Sequence, residues 1–249
     1  MDMERDYGTF TFTGKEKVRL VLSYLGLCIM VSWLFYHSFW AVLVLLAGLP
    51  VFLKKKKEQE IRKQREELLT EFLTGIRAVA SALDAGYSME NALGEALKET
   101  EKVYGADGIF TEELREMERK RNLNQSMETL WADLGKRSGL EDIENFGEIF
   151  QVARRSGGNL REIIQSTADN ITRKTDARRE IEVCLSSKKM EQKIMCAVPF
   201  FILAYVDLGS PEFLEGLYHN PLGIAIMTAC LVVYLAAFFW GRRIVEIEV

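Results

Sequence analysis

The residues able to do acid–base, nucleophilic or metal chemistry in this 249-residue chain are two histidines, four cysteines and 36 carboxylates. His37 and His219 have no second His or Cys at ligand spacing, so no metal site is predicted. A serine or cysteine nucleophile needs a neighbouring base, and no histidine occurs between residues 54 and 193. Neither GxxxxGK(S/T) nor GxGxxG is present, so no phosphate-cradling loop is predicted. Cys28, Cys184, Cys196 and Cys230 share no CxxC spacing and read as small apolar residues kept reduced. Glu66/Glu67, Glu112/Glu113 and Glu141/Asp142 sit at helical surface spacings and read as solvated faces. The expectation is a non-enzyme, with no catalytic, cofactor-binding or metal residues.

The elements that would position such groups divide sharply by charge. Residues 54–193 hold 26 of the 32 Lys+Arg and 27 of the 36 Asp+Glu, a net of −1. That balance argues against a nucleic-acid partner held by bulk positive charge. Residues 18–53 and 194–240 are almost free of charge. Val18–Tyr36 and Phe39–Leu53 are apolar runs separated only by Tyr36-His37-Ser38-Phe39, which predicts a transmembrane hairpin over 18–53. Trp33, Tyr36, Phe39 and Trp40 at its turn suit an interfacial aromatic belt better than one long buried helix. Ile194–Leu208 and Leu222–Trp240 predict a second pair over 194–240, with Pro199 as a kink and an outer loop over 209–221. The only charges in these four runs, Arg19 and Asp207, lie at their edges, and in their interiors only Ser23, Ser32 and Thr228 are small polar groups. Transport or an intramembrane active site is therefore disfavoured.

All 32 Lys and Arg fall in residues 1–19, in the middle or in the C-terminal tail, none at the two hairpin tips. The positive-inside rule then places the 1–17 segment, the 54–193 domain and the 241–249 tail in the cytoplasm, with four spans between them. A cleaved signal peptide is not expected, because the first apolar run is long and no small-residue cleavage site follows it.

The middle segment reads as about six helices. Leu68, Phe72, Ile76, Val79 and Leu83 form a stripe over 57–85, ended by Gly86. Ser88 caps a second helix carrying Ala92, Leu93 and Ala96. Thr111 is predicted to cap a third helix reaching about Arg121. Asn124 is predicted to cap a fourth, with Met127, Leu130, Trp131 and Leu134 on one face. Gly139 breaks it. A fifth helix presents Ile143, Phe146, Ile149, Phe150 and Val152, and Gly157-Gly158 ends it. Asn159 caps a sixth, which meets no Gly or Pro until Pro199 and so runs toward the third span. No window alternates like a strand. The fold class is an all-α polytopic membrane protein with a cytoplasmic six-helix antiparallel bundle.

Four features carry two readings each. Lys54–Lys57 anchor a span by snorkelling, or dock anionic lipid or an acidic partner. Gly157-Gly158 is a helix stop or a hinge. Arg154 and Arg155 complement a helix C-terminus or face an acidic partner. Asp207, Glu212 and Glu215 form an acidic outer tip, solvated or touching exported protein.

Phe72-Leu73, then Ala82-Leu83-Asp84-Ala85-Gly86-Tyr87-Ser88 and Asn91-Ala92-Leu93, resemble the opening of the type II secretion system F domain family. Phe146, Val152-Ala153, Ser156-Gly157-Gly158-Asn159-Leu160 and Ile171-Thr172-Arg173 resemble its second half. The ending Gly241-Arg242-Arg243-Ile244-Val245-Glu246-Ile247-Glu248-Val249 and the two-span, domain, two-span layout resemble the tight-adherence B (TadB) branch. The resemblance covers about residues 50–249; residues 1–17 carry no family signal. It implies an inner-membrane platform protein of a Tad-type (type IV-like) pilus assembly system. Implied partners are the lipid bilayer, a second F-domain membrane protein (TadC-like), a cytoplasmic secretion ATPase (TadA-like), pilin subunits and further copies in a homo- or hetero-oligomer. Larger platform proteins of the superfamily carry two F domains, whereas this chain has one. The alternative is a membrane-anchored helical scaffold or signalling protein.

Overall fold

The structure, a computed structural model, describes residues 6–36, 40–156, 160–210 and 220–245. Among them the regular elements are all helices: α1 (Gly14–Tyr36), α2 (Trp40–Leu46), α3 (Leu49–Asp84), α4 (Met89–Tyr104), α5 (Ile109–Asn122), α6 (Met127–Ser138), α7 (Glu141–Ser156), α8 (Leu160–Gly209) and α9 (Pro221–Val245). The chain divides into two compact units, Met1–Thr11 with Lys56–Asp176 and Phe12–Lys55 with Ala177–Val249. The predicted Gly157-Gly158 stop, the Asn159 cap, both histidines, Glu212 and Glu215 lie outside the described residues.

The first unit is built on the apolar stripes read from the sequence. Leu68, Phe72, Ile76 and Val79 of α3, at helical spacing, are fully buried against Ala92 and Leu93 of α4, Phe110 and Leu114 of α5, Trp131 and Leu134 of α6, Ile143 and Phe146 of α7 and Ile164 of α8. Aromatic rings form its centre. Phe72 packs edge-on against Phe110 (centroids 5.4 Å apart), Trp131 (6.2 Å) and Phe146 (5.4 Å), and Trp131 lies 5.0 Å from Phe146. Edge-to-face packing aligns each ring's positive edge with its neighbour's negative face. Two glycines let α6 and α7 approach closely. A methyl at Gly135 would fall 2.9 Å from the Glu144 Cα, and one at Gly147 would fall 3.1 Å from the Trp131 carbonyl oxygen.

Helix ends follow local chemistry in part. Gly86 (φ +87°) and Gly139 (φ +60°) stop α3 and α6 in the left-handed region open to glycine. The Ser88 hydroxyl accepts from the Asn91 N–H at the start of α4. Two predicted caps are corrected. α5 begins two residues before Thr111, which is buried inside the helix with its hydroxyl unbonded among the described residues. The Glu71 carboxylate of α3 takes the capping role, accepting the Phe110 N–H at 2.8 Å. Asn124 does not cap α6. It adopts φ +63° in the turn after α5, a conformation Asn tolerates, and Ser126 caps α6 by accepting from the Thr129 N–H. On α7 the buried stripe is Ile143, Phe146, Phe150 and Ala153, while Ile149 and Val152 lie round the helix and stay exposed.

In the second unit, the apolar run 39–53 is not one helix. It is divided between α2 and the start of α3 by the turn Ala47–Gly48. Pro50 sits in the first turn of α3, where its missing N–H costs no helical bond. The Tyr24 hydroxyl donates to the Leu45 carbonyl at 2.8 Å, and a methyl at Gly48 would lie 2.5 Å from that hydroxyl. By contrast α8 continues through Pro199 to Gly209. Tyr234 of α9 donates to the Cys196 carbonyl, three residues before this proline, at 2.8 Å, which ties α9 to α8 close to the point where the proline interrupts the helical hydrogen bonds. Phe35 of α1 packs on Phe200 of α8, and Phe200 packs on Tyr234.

Candidate functional site: a membrane-facing helical unit and a charged helical unit

Three helices contain stretches long and apolar enough to cross a membrane: Gly14–Phe35, a window within Leu160–Gly209, and Leu222–Gly241. At 1.5 Å per residue, the 22 and 20 residues of the first and third extend about 33 and 30 Å, matching a hydrocarbon core of roughly 30 Å. Most of their side chains face outward. Phe201, Tyr205 and Leu208 of α8 are 73–86% exposed, and Leu222, Val233 and Trp240 of α9 are 66–72% exposed. Apolar surface on this scale requires an apolar surrounding.

Within this unit the apolar-to-charged borders of four chain segments meet. The Tyr24 ring lies 5.0 Å from Phe52. That places Arg19 and Lys54, five and two residues from this contact, within two helical turns of it. The Lys55 ammonium lies 5.6 Å from the Phe239 ring centroid, a cation–π distance. A methyl at Gly241 would sit 3.0 Å from the Gln192 amide nitrogen, so Lys193 and Arg243 flank one contact between α8 and α9. The sequence shows these borders as separate transitions; the packing makes them one level.

The cysteines are all free, Cys28 buried and Cys184 and Cys230 exposed. Within the apolar helices, Ser23 and Thr228 donate to carbonyls of their own helix, Leu20 and Ile224. Ser32 is buried. Among the described residues no group of His, Cys, Asp or Glu is arranged to hold a metal ion.

The charged unit holds a buried polar cluster that the sequence reading missed. Glu113, expected on a solvated face, is only 6% exposed. Its carboxylate accepts two hydrogen bonds from Arg137, at 2.9 and 2.7 Å, and one from the Tyr7 hydroxyl at 2.8 Å. Arg137 also donates to Asp133 at 2.8 Å. Tyr7, from the N-terminal segment, is 2% exposed; its N–H donates to the Arg137 carbonyl and its carbonyl accepts from Arg65. Burial opposes charge on Arg137, but Glu113 and then Asp133 outweigh it and hold the guanidinium above its ordinary value. The i,i+4 pair Asp133–Arg137 was legible as a helical spacing; Glu113 and Tyr7 lie too far off in sequence to signal.

Arg154 is engaged within the chain, with Glu128 at 3.0 Å and Glu90 at 3.4 Å. Glu90 is held below its ordinary carboxylate value, foremost by a backbone hydrogen bond at the start of α4; burial, the next effect in size, opposes this, and Ser88 and Arg154 add to the lowering. Lys174 reaches Asp142 at 2.7 Å.

The family profile described as Type II secretion system (T2SS), protein F, matches residues 76–207. The match runs from the second half of α3 through the apolar end of α8. No curated protein and no solved structure matches the chain. More than half of the sequence thus fits one profile, and the helical, membrane-facing architecture agrees with it: the chain belongs to the type II secretion system protein F family, membrane components of secretion and pilus-assembly machinery.

Proposed function

We propose that this protein is the TadB-like platform subunit of a tight-adherence pilus system in a bacterial inner membrane. It performs no reaction of its own. It couples a cytoplasmic secretion ATPase to the extraction and stacking of pilin subunits, beside a second F-domain protein that supplies what its single F domain lacks. The family match over 76–207 is the observation that carries this reading. The closing Gly241–Val249 run and the layout of apolar ends around a charged middle give it its Tad character. α8 supports the coupling, since one helix extends from Leu160 in the charged segment to Gly209 in the apolar one. A displacement at one end of a continuous helix is available at the other without a new contact.

The proposed topology keeps the N-terminus, the charged domain and the C-terminus in the cytoplasm. The broken element α2 with the start of α3 acts as the second crossing, because Lys15–Arg19 and Lys54–Lys57 belong on one side by the positive-inside rule. The Tyr24–Phe52 contact supports that pairing.

The test is to tag the chain in its native host, crosslink gently in membranes and identify what co-purifies. A secretion-type ATPase together with a second F-domain protein is the expected result. Regulators or metabolic enzymes in their place, with both expected partners expressed, would move the assignment to a membrane-anchored scaffold.

A further inference from the structure

The cations of the charged unit are largely neutralised within the chain. Arg62, Lys63, Lys98, Arg115, Arg154 and Lys174 each pair with a carboxylate. The apolar border of the other unit differs. Among the described residues, none of Arg19, Lys54, Lys55, Lys193 and Arg243 has a carboxylate at ion-pair distance. Glu191, beside Lys193 in sequence, is occupied by Lys188 at 2.9 Å. Arg19, Lys54, Lys193 and Arg243 are exposed. The contacts between Tyr24 and Phe52, Lys55 and Phe239, and Gln192 and Gly241 bring these cations toward one level.

The surface next to them is apolar. Ile194 and Met195, following Lys193, are 59% and 69% exposed, and Trp240 is 72% exposed. An occupant therefore needs an anionic group for the cations and, within about a helical turn, apolar mass for these side chains. An acidic soluble protein supplies the first and leaves Trp240 and Met195 in water. A phospholipid with an anionic headgroup supplies both.

We propose that Arg19, Lys54, Lys55, Lys193 and Arg243 form a binding collar for anionic phospholipid headgroups of the surrounding bilayer, selecting them over zwitterionic ones. The phosphate and any further headgroup charge sit among the lysines and arginines, while the acyl chains run along Ile194, Met195 and Trp240. Lys55 is held for this by the Phe239 ring, which attracts its ammonium without neutralising it. The inference needs only that this unit is embedded in lipid and is independent of the pilus assignment.

The test uses the full chain reconstituted in vesicles of phosphatidylcholine, alone or mixed with phosphatidylglycerol. It is then released gently in detergent, and the retained lipid is identified by native mass spectrometry. One basic side chain near an anionic surface is worth roughly a fivefold preference, so the ratio of phosphatidylglycerol to phosphatidylcholine retained on the protein should exceed their ratio in the vesicle by about tenfold or more. The combined variant Lys54→Gln, Lys55→Gln, Lys193→Gln, Arg243→Gln should lose that enrichment. A control removing as many charges, at Arg62, Lys63, Lys98 and Lys102, should keep it. The thermal midpoint of the unaltered protein should also rise in the mixed vesicles, a readout that does not depend on the variant folding. Absence of enrichment in the unaltered chain, or equal loss in the control, would overturn the proposal. So would inorganic phosphate reproducing the thermal shift in detergent alone, since a free anion would then suffice.

Discussion

The Tyr7 hydroxyl donates to the Glu113 carboxylate at 2.8 Å across 106 positions of sequence. The bond fastens the N-terminal segment to α5 at the carboxylate that also holds Arg137. Tyr7→Phe removes one hydrogen bond to a charged acceptor and keeps the ring. It should cost about 1–3 kcal/mol, read as a lowered thermal midpoint in detergent. Glu113→Gln should cost more, about 3–5 kcal/mol, because it breaks a buried pair and leaves the Arg137 charge short of its partner. A Glu113→Gln protein as stable as Tyr7→Phe would mean that Asp133 alone satisfies Arg137.

Glu71 caps α5 from a different helix, and its carboxylate also faces the positive end of the α5 dipole. Glu71→Ala should therefore cost about 1–2 kcal/mol, as loss of an N-cap does. Hydrogen exchange should localise the loss to the first turn of α5. Exchange rising uniformly over the unit would count against a capping role.

Gly75 is required by Phe110. A methyl there would overlap the Phe110 ring, which is fully buried and has no room to turn. Gly75→Ala should lose about 1–3 kcal/mol despite alanine's better helix propensity. Gly26→Ala, with open space around it, should be neutral or slightly stabilising. Comparing the two thermal midpoints separates crowding from propensity.

Glu90 sets a pH dependence whose sign follows from its lowered value. Its native carboxyl ionises more readily than the unfolded one. The stabilisation is therefore complete above the ordinary value of 4.5 and is lost as the pH falls through the lower native value. Glu90→Gln should be less stable than the parent at neutral pH, and the gap should close in acid. The gap should be small, since the side chain is 47% exposed. A gap constant with pH would point to packing instead.

The proposed topology predicts a labelling pattern. In a background without native cysteines, single cysteines at Ser38 and Ser210 should react with a membrane-impermeant thiol reagent in intact cells, and one at Ser187 should not. Labelling at position 187 would reverse the orientation.

Helix type, the buried stripes and several stops were legible because each depends on residues within a turn or two. Leu68, Phe72, Ile76 and Val79 recur at helical spacing, and Gly86, Gly139 and Ser88 act on backbone groups beside them. The apolar runs likewise announced a lipid-facing protein, since transfer from water is a sum over local side chains. Tertiary structure decided what depends on partners distant in the chain. Thr111 has the residue type of a cap, but Glu71 of α3 already holds the α5 N-terminus. Glu113 looks like any surface glutamate until Arg137 and Tyr7 close over it. The run 39–53 reads as one apolar segment, yet Pro50 withholds a donor and the Tyr24 hydroxyl takes the Leu45 carbonyl, so the helix breaks at Ala47–Gly48. Local periodicity records which face is apolar; a buried polar group is placed by the partner that replaces its water, and that partner is found only after the helices pack.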